Sequence, residues 1–354
     1  MILTSLELQN FRSYKKITLP FSPYATLIVG DNATGKTNIL EAIMMLSTGK
    51  SFRATHDRDV VRFENEMAKV TGNVVKESQR VSVSVFITQG MIQGQKAPMK
   101  KFFVNGIARR ATDLSRNLKV VLFWPQDLDL VTDSPSMRRK YLDTVLSQTD
   151  DEYKRSLASY ERGLRQRNML LDRINKRQAT RSQLLFWDQL LIKAGGYITE
   201  KRQEYLLFTT KVTDTDIKTF RVSYEPSRIN ETRLLQYASE EVASKTTLVG
   251  PHRDDFHILM ETPKKNTMVN VREFGSRGEQ RSAVLWLKCV ETEYVEHVYG
   301  ERPVVLLDDI FSEFDRKHRD VVRLLMRKQQ TILTTADTHI EKELGDIDVI
   351  RLPL

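Results

Sequence analysis

A chain of 354 residues is longer than one minimal domain, so it should fold as two domains or as one large domain with a sizeable insertion. With 40% hydrophobic and 29% charged residues it has the composition of a soluble globular protein. No apolar run approaches the roughly 20 residues of a membrane span, and the alternating start MILTSLELQNFRSYKK is unlike a secretory signal, so a cytoplasmic protein with no membrane partner is expected. One cysteine, Cys289, excludes an intrachain disulfide and a cysteine-rich zinc site, and a net charge of +9 favours a polyanionic partner.

The first apolar, β-branched run, Ala25 to Val29, predicts a buried strand. It leads into GDNATGKTN, where Gly30, Gly35, Lys36 and Thr37 have the spacing GxxxxGK(S/T) before a helical pattern. A phosphate chain carries several close negative charges. A glycine-rich loop can surround them with backbone N–H groups, so Gly30, Asp31, Asn32, Ala33, Thr34 and Gly35 form the expected cradle. Lys36 supplies a charge to the outer phosphates and Thr37 a hydroxyl to Mg²⁺. Asn38 follows in the first turn of a helix whose positive end faces the anion. The cofactors implied are ATP and Mg²⁺.

Further short strands are predicted at Val81 to Ile87, Val120 to Phe123 and Val304 to Leu307. The middle of the chain differs. Leu157, Tyr160, Leu164, Leu171 and Ile174, then Leu184, Trp187, Leu191, Ala194, Ile198 and Tyr205, recur at three- and four-residue steps. Two amphipathic helices joined near Arg177 to Ser182 follow, too short for long coiled-coil arms and expected to pair as an antiparallel hairpin. From Arg138 to Arg181 there are twelve Lys or Arg against six Asp or Glu. Arg138, Arg139, Lys140, Arg165, Arg173, Lys176 and Arg177 are therefore the candidates for the phosphates of a polyanionic partner such as a nucleic acid, and no aromatic-interleaved single-strand surface is evident.

Near the end, FGSRGEQRSAVLWLKCVE sets Ser276 and Gly278 at the head of an apolar helix. Such a terminus suits phosphate, but the cradle around Lys36 already serves the phosphates of its own chain. Ser276 and Gly278 are thus expected to meet the γ-phosphate bound by a second copy, in an ATP-dependent homodimer. The run PVVLLDD ends in Asp308, expected to hold the Mg²⁺ shell, and Asp309, placed to orient or deprotonate the attacking water. Lys36, Asp308 and Asp309 would then carry the hydrolysis, and Asp308 comes 272 positions after Lys36, which leaves room for a large insertion.

The order NFRSY (Asn10 to Tyr14), the P-loop, KSFR (Lys50 to Arg53), WPQDLDLV (Trp124 to Val131), RRKYLD (Arg138 to Asp143), GPHRDDF (Gly250 to Phe256), SRGEQR (Ser276 to Arg281), VVLLDDIFSEFD (Val304 to Asp315) and TTAD (Thr334 to Asp337) resembles the RecF family from end to end. The resemblance implies an α/β P-loop NTPase fold of the ABC ATPase head type with an inserted helical lobe. The head would comprise residues 1–125 and 210–354, and the lobe residues 126–209. It implies a slow, DNA-stimulated ATPase that binds DNA at single-strand/double-strand junctions in gaps. It further implies cooperation with RecR and RecO in loading RecA onto gaps covered by single-strand-binding protein.

Position by position, the resemblance gives Gln126 a place on Mg²⁺ or the lytic water and Arg53 a place near the γ-phosphate, or else in a structural salt bridge. Ser312, Glu313 and Asp315 fall on a loop across the dimer interface, and Thr335 on the position after the last core strand. Ala33 departs from a frequent P-loop glycine, which is tolerable only without positive φ, and Glu279 from a frequent glutamine. His252, Asp254 and Asp255 suggest either a metal site or, by preference, a hydrogen-bonded turn. A transporter-type ATPase subunit not acting on DNA is the alternative, and a P-loop kinase a third.

Overall fold

The computed structural model describes residues 1–211, 219–262, 267–345 and 347–353. It divides into two compact units, Met1–Asp127 with Lys288–Leu354, and Leu128–Leu287.

Among the described residues, the first unit holds two large sheets and a two-stranded ribbon, Met91–Ile92 with Gln95–Lys96. Five parallel strands run in the order Val120–Phe123, Val304–Asp308, Thr331–Thr335, Ala25–Val29 and Asp348–Arg351. Val304–Asp308 is buried along its whole length, which is why it reads as an apolar run up to its terminal aspartate rather than an alternation, and Thr331–Thr335 is equally buried although three of its five residues are threonines. The register sets Asp308 beside Thr334 and Thr335 beside Val29, so the loop after Val29 leaves the same edge that carries Asp308. Ligands of open α/β sheets bind outside that carboxyl edge. Six antiparallel strands form the second sheet, in the order Tyr14–Pro20, Ile2–Phe11, Met67–Lys76, Gln79–Thr88, Lys100–Val104 and Ile107–Arg109.

Helix Lys36–Thr48 packs on strands of both sheets, and Ile39, Leu40, Ala42, Ile43, Met45 and Leu46 are fully buried, so the helix is apolar nearly all round. Gly72 makes the approach possible: a Cβ there would lie 2.5 Å from Leu46 Cδ1. All four predicted strands are present. Two match to the residue, Val81–Ile87 lies inside Gln79–Thr88, and Val304–Leu307 extends by one residue to Asp308.

In the second unit, helices Asp151–Asn175 and Leu185–Phe208 form the predicted hairpin. They run antiparallel, because Tyr197 donates to Asp150 at one end (2.7 Å) while Arg167 pairs with Asp188 towards the other (2.7 Å). Gly163 admits Leu190, whose Cδ2 would lie 2.7 Å from a Cβ. The hairpin does not stand alone. Strands Phe220–Glu225, Asp255–Glu261 and Met268–Asn270 form their own antiparallel sheet, so the described residues among 210–287, expected in the ATPase head, fold in the second unit here.

GPHRDDF is the hub of this unit. Asp254, fully buried, accepts from Arg202 Nη1 (2.8 Å), Tyr224 Oη (2.6 Å) and the Ser227 amide (2.7 Å). Arg202, 2% exposed, also donates to Asp143 and to the Pro251 carbonyl. His252 lies between Tyr160 Oη (2.8 Å) and the Thr247 carbonyl (3.0 Å). This is the hydrogen-bonded turn. No group of three or more His, Cys, Asp or Glu able to hold a metal occurs among the described residues.

Burial pushes the His252 imidazole down to about 4, from 6.5. Because the folded value is the lower one, the unfolded chain binds more protons between these limits, and stability falls with acidification through that window. Unfolding free energy should drop by about 3 kcal/mol from pH 6.5 to pH 4 through this group alone. Urea titrations at both pH values, against His252→Asn, check this. Equal pH slopes for the two proteins would refute the assignment.

Candidate nucleotide-binding site

The loop from Gly30 to Gly35 joins the central strand Ala25–Val29 to helix Lys36–Thr48. Gly35 has φ +100, and a Cβ there would lie 2.8 Å from Tyr14 Oη and 2.9 Å from Ser13 Oγ, so backbone conformation and space both require glycine. Thr34 Oγ1 closes the loop on the Asp31 carbonyl at 2.8 Å. Ala33 contradicts expectation: its φ is +67, the left-handed region its Cβ disfavours by about 1–2 kcal/mol. The loop imposes that conformation even without the glycine, which places local strain where a phosphate chain would be cradled.

Lys36 Nζ donates to the carbonyls of Gly30 (2.7 Å) and Asp31 (2.8 Å), so the ammonium already spans the mouth of the loop. Thr37 Oγ1 donates to Asp308 Oδ1 at 2.9 Å, and Thr334 Oγ1 donates to the same oxygen at 2.8 Å. Two residues 271 positions apart thus meet in one cluster of hard oxygen atoms. Asp308 is 6% exposed, and a carboxylate so enclosed needs these hydroxyl donors. Asp309 adopts φ +50 and is half-buried. Burial, and then the charge of Asp308, push its carboxyl above the usual range, with Lys36 opposing. That shift moves a carboxylate towards the range of a general base.

Asn38 bridges two other elements: its Nδ2 donates to Ser13 Oγ (3.1 Å), and its Oδ1 accepts from Arg53 Nη1 (3.2 Å). Arg53 is exposed and pairs with no carboxylate among the described residues, so the salt-bridge alternative is not realised. Gln126 is exposed in the turn Pro125–Leu128, just past strand Val120–Phe123, which the register places beside Val304–Asp308. Its neighbour Asp127 is buried against Lys288 (3.5 Å), which also meets Glu291 (3.1 Å).

Asp315 caps helix Arg316–Lys328, accepting from the His318 amide (3.1 Å) and Nδ1 (2.8 Å), and these bonds hold its carboxyl below the usual range. The Ser312 side chain lies outside the described residues. Thr335 is buried and accepts from the Asp337 amide, whereas Thr334 faces Asp308. Thr334, Ser13 and Tyr14 are site residues that the sequence did not single out.

In the second unit, Ser276 and Gly278 are exposed at the start of helix Arg277–Tyr299. Ser276 accepts from the Glu279 amide (3.3 Å), while its own amide and hydroxyl donate to Glu279 Oε2 (both 2.8 Å). That is a reciprocal cap, and it draws the Glu279 carboxylate back onto its own helix. Among the described residues, nothing beyond its own turn of helix backbone lies within 4 Å of where a Gly278 Cβ would be.

The family model described as RecF/RecN/SMC N terminal domain matches residues 2–348. The DNA replication and repair protein RecF of Herpetosiphon aurantiacus is 36% identical over 366 residues, covering 95% of this chain and 94% of that protein. The chain belongs to the RecF family. RecF of Lachnoclostridium phytofermentans is 34% identical over 345 residues, covering 94% of this chain and 92% of that one. Among solved structures, the recombination mediator protein RecF-ATPrS in the RecFOR pathway superposes with a TM-score of 0.86 at 28% identity, over 99% of this chain and 95% of that one. An Smc head domain of Pyrococcus furiosus, 16% identical with a TM-score of 0.53, shares the fold. The fold is thus the ABC ATPase head type with an inserted helical lobe, as expected of the RecF family.

The DNA candidates divide. Arg138 is withdrawn: it is 2% exposed, with Nε 2.6 Å from Asp255 Oδ1 and Nη2 3.0 Å from Oδ2. Burial alone would raise the Asp255 carboxyl, but the hydrogen bonds and charge of Arg138 hold it below the usual range, so this guanidinium is committed to an internal pair. Arg139 is half-buried and donates to the Asp254 carbonyl at 3.0 Å. Lys140, Arg165, Arg173, Lys176 and Arg177 are exposed. Lys176 pairs with Asp172 at 2.6 Å, while Arg165 and Arg173 have no acidic partner among the described residues. No helix among the described residues is long and apolar enough to cross a membrane.

Proposed function

We propose that this RecF-family chain is an ATP-gated DNA-binding protein of replication and recombinational repair, in which hydrolysis times release from DNA. The observation that carries it is the meeting of Thr37 and Asp308 at the mouth of a P-loop already spanned by Lys36. Its relatives are named as DNA replication and repair proteins, and the solved neighbours as RecF-ATPrS and RecF-ATP in the RecFOR pathway.

The unit Met1–Asp127 with Lys288–Leu354 would bind ATP through Gly30 to Asn38, with Arg53 approaching the γ-phosphate from its seat on Asn38. The oxygen donors Thr37 and Asp308, with Gln126 nearby on the same sheet edge, suit Mg²⁺. Bound there, the metal would neutralise charge on the transferring phosphoryl group. Asp309, its carboxyl raised, would take the proton of the attacking water, and Lys36 would hold the outer phosphate oxygens. Ser276 and Gly278 would close over the nucleotide of a second copy, with Asp315 on the loop facing it. Lys140, Arg165, Arg173, Lys176 and Arg177 would hold DNA phosphates at gap junctions, in cooperation with RecR, RecO and RecA. Turnover would be slow and stimulated by DNA.

Light scattering should show a dimer with ATP and Mg²⁺ and a monomer without, and affinity for gapped DNA should rise in ATP. A chain that stays monomeric and binds DNA equally with and without nucleotide would sink the proposal.

A further inference from the structure

The outer face of the six-stranded antiparallel sheet is unlike an ordinary solvated face. Residues directly paired across neighbouring strands share a face, and the register makes Lys16, Gln9, Lys69, Phe86 and Lys101 one row across five strands. The adjacent row runs Thr18, Glu7, Thr71, Ser84 and Phe103. Phe86 and Phe103 therefore lie diagonally side by side, with ring centroids 5.2 Å apart at 68°. Lys69 Nζ sits 5.3 Å from the Phe86 centroid. Both rings are half-buried, by each other and by Lys69, while Lys16, Arg80 and Lys101 are exposed. Arg80 lies on the same face, opposite Val75, and Glu7 is the one carboxylate among the described outward strand positions of this face.

A cross-strand aromatic pair alone would only stabilise the sheet. What asks for more is its setting: two rings on an open face, flanked by cations on both sides and bordered by hydroxyl and amide side chains. Single-stranded nucleic acid meets that chemistry, since every base has a π-face to stack on a ring and every linkage a phosphate for a lysine. Open antiparallel sheets with aromatic residues on their strands are a recurrent way to hold splayed bases. A rigid duplex hides its base faces and would leave the rings unused.

We propose that the outer face of the antiparallel sheet is a binding site for single-stranded DNA, in which Phe86 and Phe103 stack bases and Lys16, Lys69 and Lys101 hold the backbone. It rests on the reading that the chain acts on DNA, yet it uses residues of the first unit rather than the basic run of the helical hairpin. Lys69, now over the Phe86 ring, would swing to a phosphate as a base takes its place, so ring and cation are both satisfied in the free and bound states.

The test is anisotropy of a labelled oligo-dT and of a labelled blunt duplex with the full chain, nucleotide absent. Phe86→Leu with Phe103→Leu keeps apolar bulk on the face but removes the rings. It should weaken oligo-dT binding about tenfold or more while duplex binding stays within twofold. Replacing Lys16, Lys69 and Lys101 by Gln should lower the salt slope for oligo-dT by about 2. Ultraviolet cross-linking of 5-iodouracil oligonucleotides should mark Phe86 or Phe103. Unchanged oligo-dT affinity in the Leu variant, equal losses for oligo-dT and duplex, or cross-links confined to the helical hairpin would each overturn the proposal and leave a protein surface or a plain sheet face. A wild-type chain that binds neither DNA even when ATP and Mg²⁺ are added would overturn the preceding section as well.

Discussion

Asp308→Asn should leave the chain folded and reduce ATP turnover on the order of 10²–10³-fold, the scale for removing one electrostatic group from a transition state. The fold survives because both hydroxyls that reach this side chain, Thr37 at 2.9 Å and Thr334 at 2.8 Å, donate to one oxygen, which asparagine can still present as its carbonyl. What is lost is the charge, on a side chain only 6% exposed, where little water can substitute for it. Losing that charge also removes the neighbouring negative charge that helps raise the Asp309 carboxyl, so the remaining activity should show its acid limb at lower pH. Lys36→Arg should act comparably. Its ammonium fits between the Gly30 and Asp31 carbonyls at 2.7 and 2.8 Å, where a planar guanidinium has neither the compactness nor the rotating donors. Phosphate release with a thermal melt alongside measures both effects. Turnover within threefold of wild type in a folded Asp308→Asn protein would remove Asp308 from the chemistry.

The parts of the fold most legible in the sequence are those with local causes. The strand before a P-loop is buried on both faces and so tends to an apolar run, and the P-loop itself is a glycine-marked turn between strand and helix, so Ala25–Val29 and the cradle after it could be placed without coordinates. Ala33 shows the limit: composition says which residue tolerates positive φ, but the loop's closure decides which residue receives it. Thr334 was hidden for a related reason. Side chains alternate along a strand, and only the register with Val304–Asp308 reveals that Thr334, not Thr335, meets Asp308.

Charge misled where periodicity could have corrected it. Arg138 precedes the buried Tyr141 and Leu142 by three and four residues, so it lies on the inward stripe of helix Pro135–Thr149, and Arg167, four residues after the buried Gly163 and four before the buried Leu171, lies on the inward stripe of Asp151–Asn175. A basic residue on such a stripe signals a distant acid, which for Arg138 is Asp255, 117 residues on. Phe86 and Phe103 escaped notice because single-strand surfaces built on sheets are assembled by register across strands, not by spacing along one.

Gly278→Leu should separate stability from function. Gly278 is the second residue of a 23-residue helix and is exposed, and among the described residues nothing beyond its own turn of helix backbone lies within 4 Å of the place its Cβ would occupy. No neighbour among the described residues therefore calls for glycine, and leucine, a better helix former, should leave the monomer as stable or up to about 1 kcal/mol more stable. A requirement for glycine must come from outside the chain. If the Gly278 amide approaches a phosphate held by another copy, a leucine side chain there forces the two surfaces apart, and such overpacking costs about 1–3 kcal/mol. The dissociation constant of the ATP-induced dimer should then rise by about tenfold to a hundredfold. Ser276→Ala should do less, since it removes one hydroxyl already engaged with Glu279 and adds no bulk. Light scattering across a concentration series in ATP and Mg²⁺, with a thermal melt of the nucleotide-free monomer, reads both quantities at once. Opposite signs, a firmer monomer and a weaker dimer, cannot arise from misfolding. An unaltered dimer with a stabilised monomer would mean that Gly278 never approaches a neighbour's nucleotide.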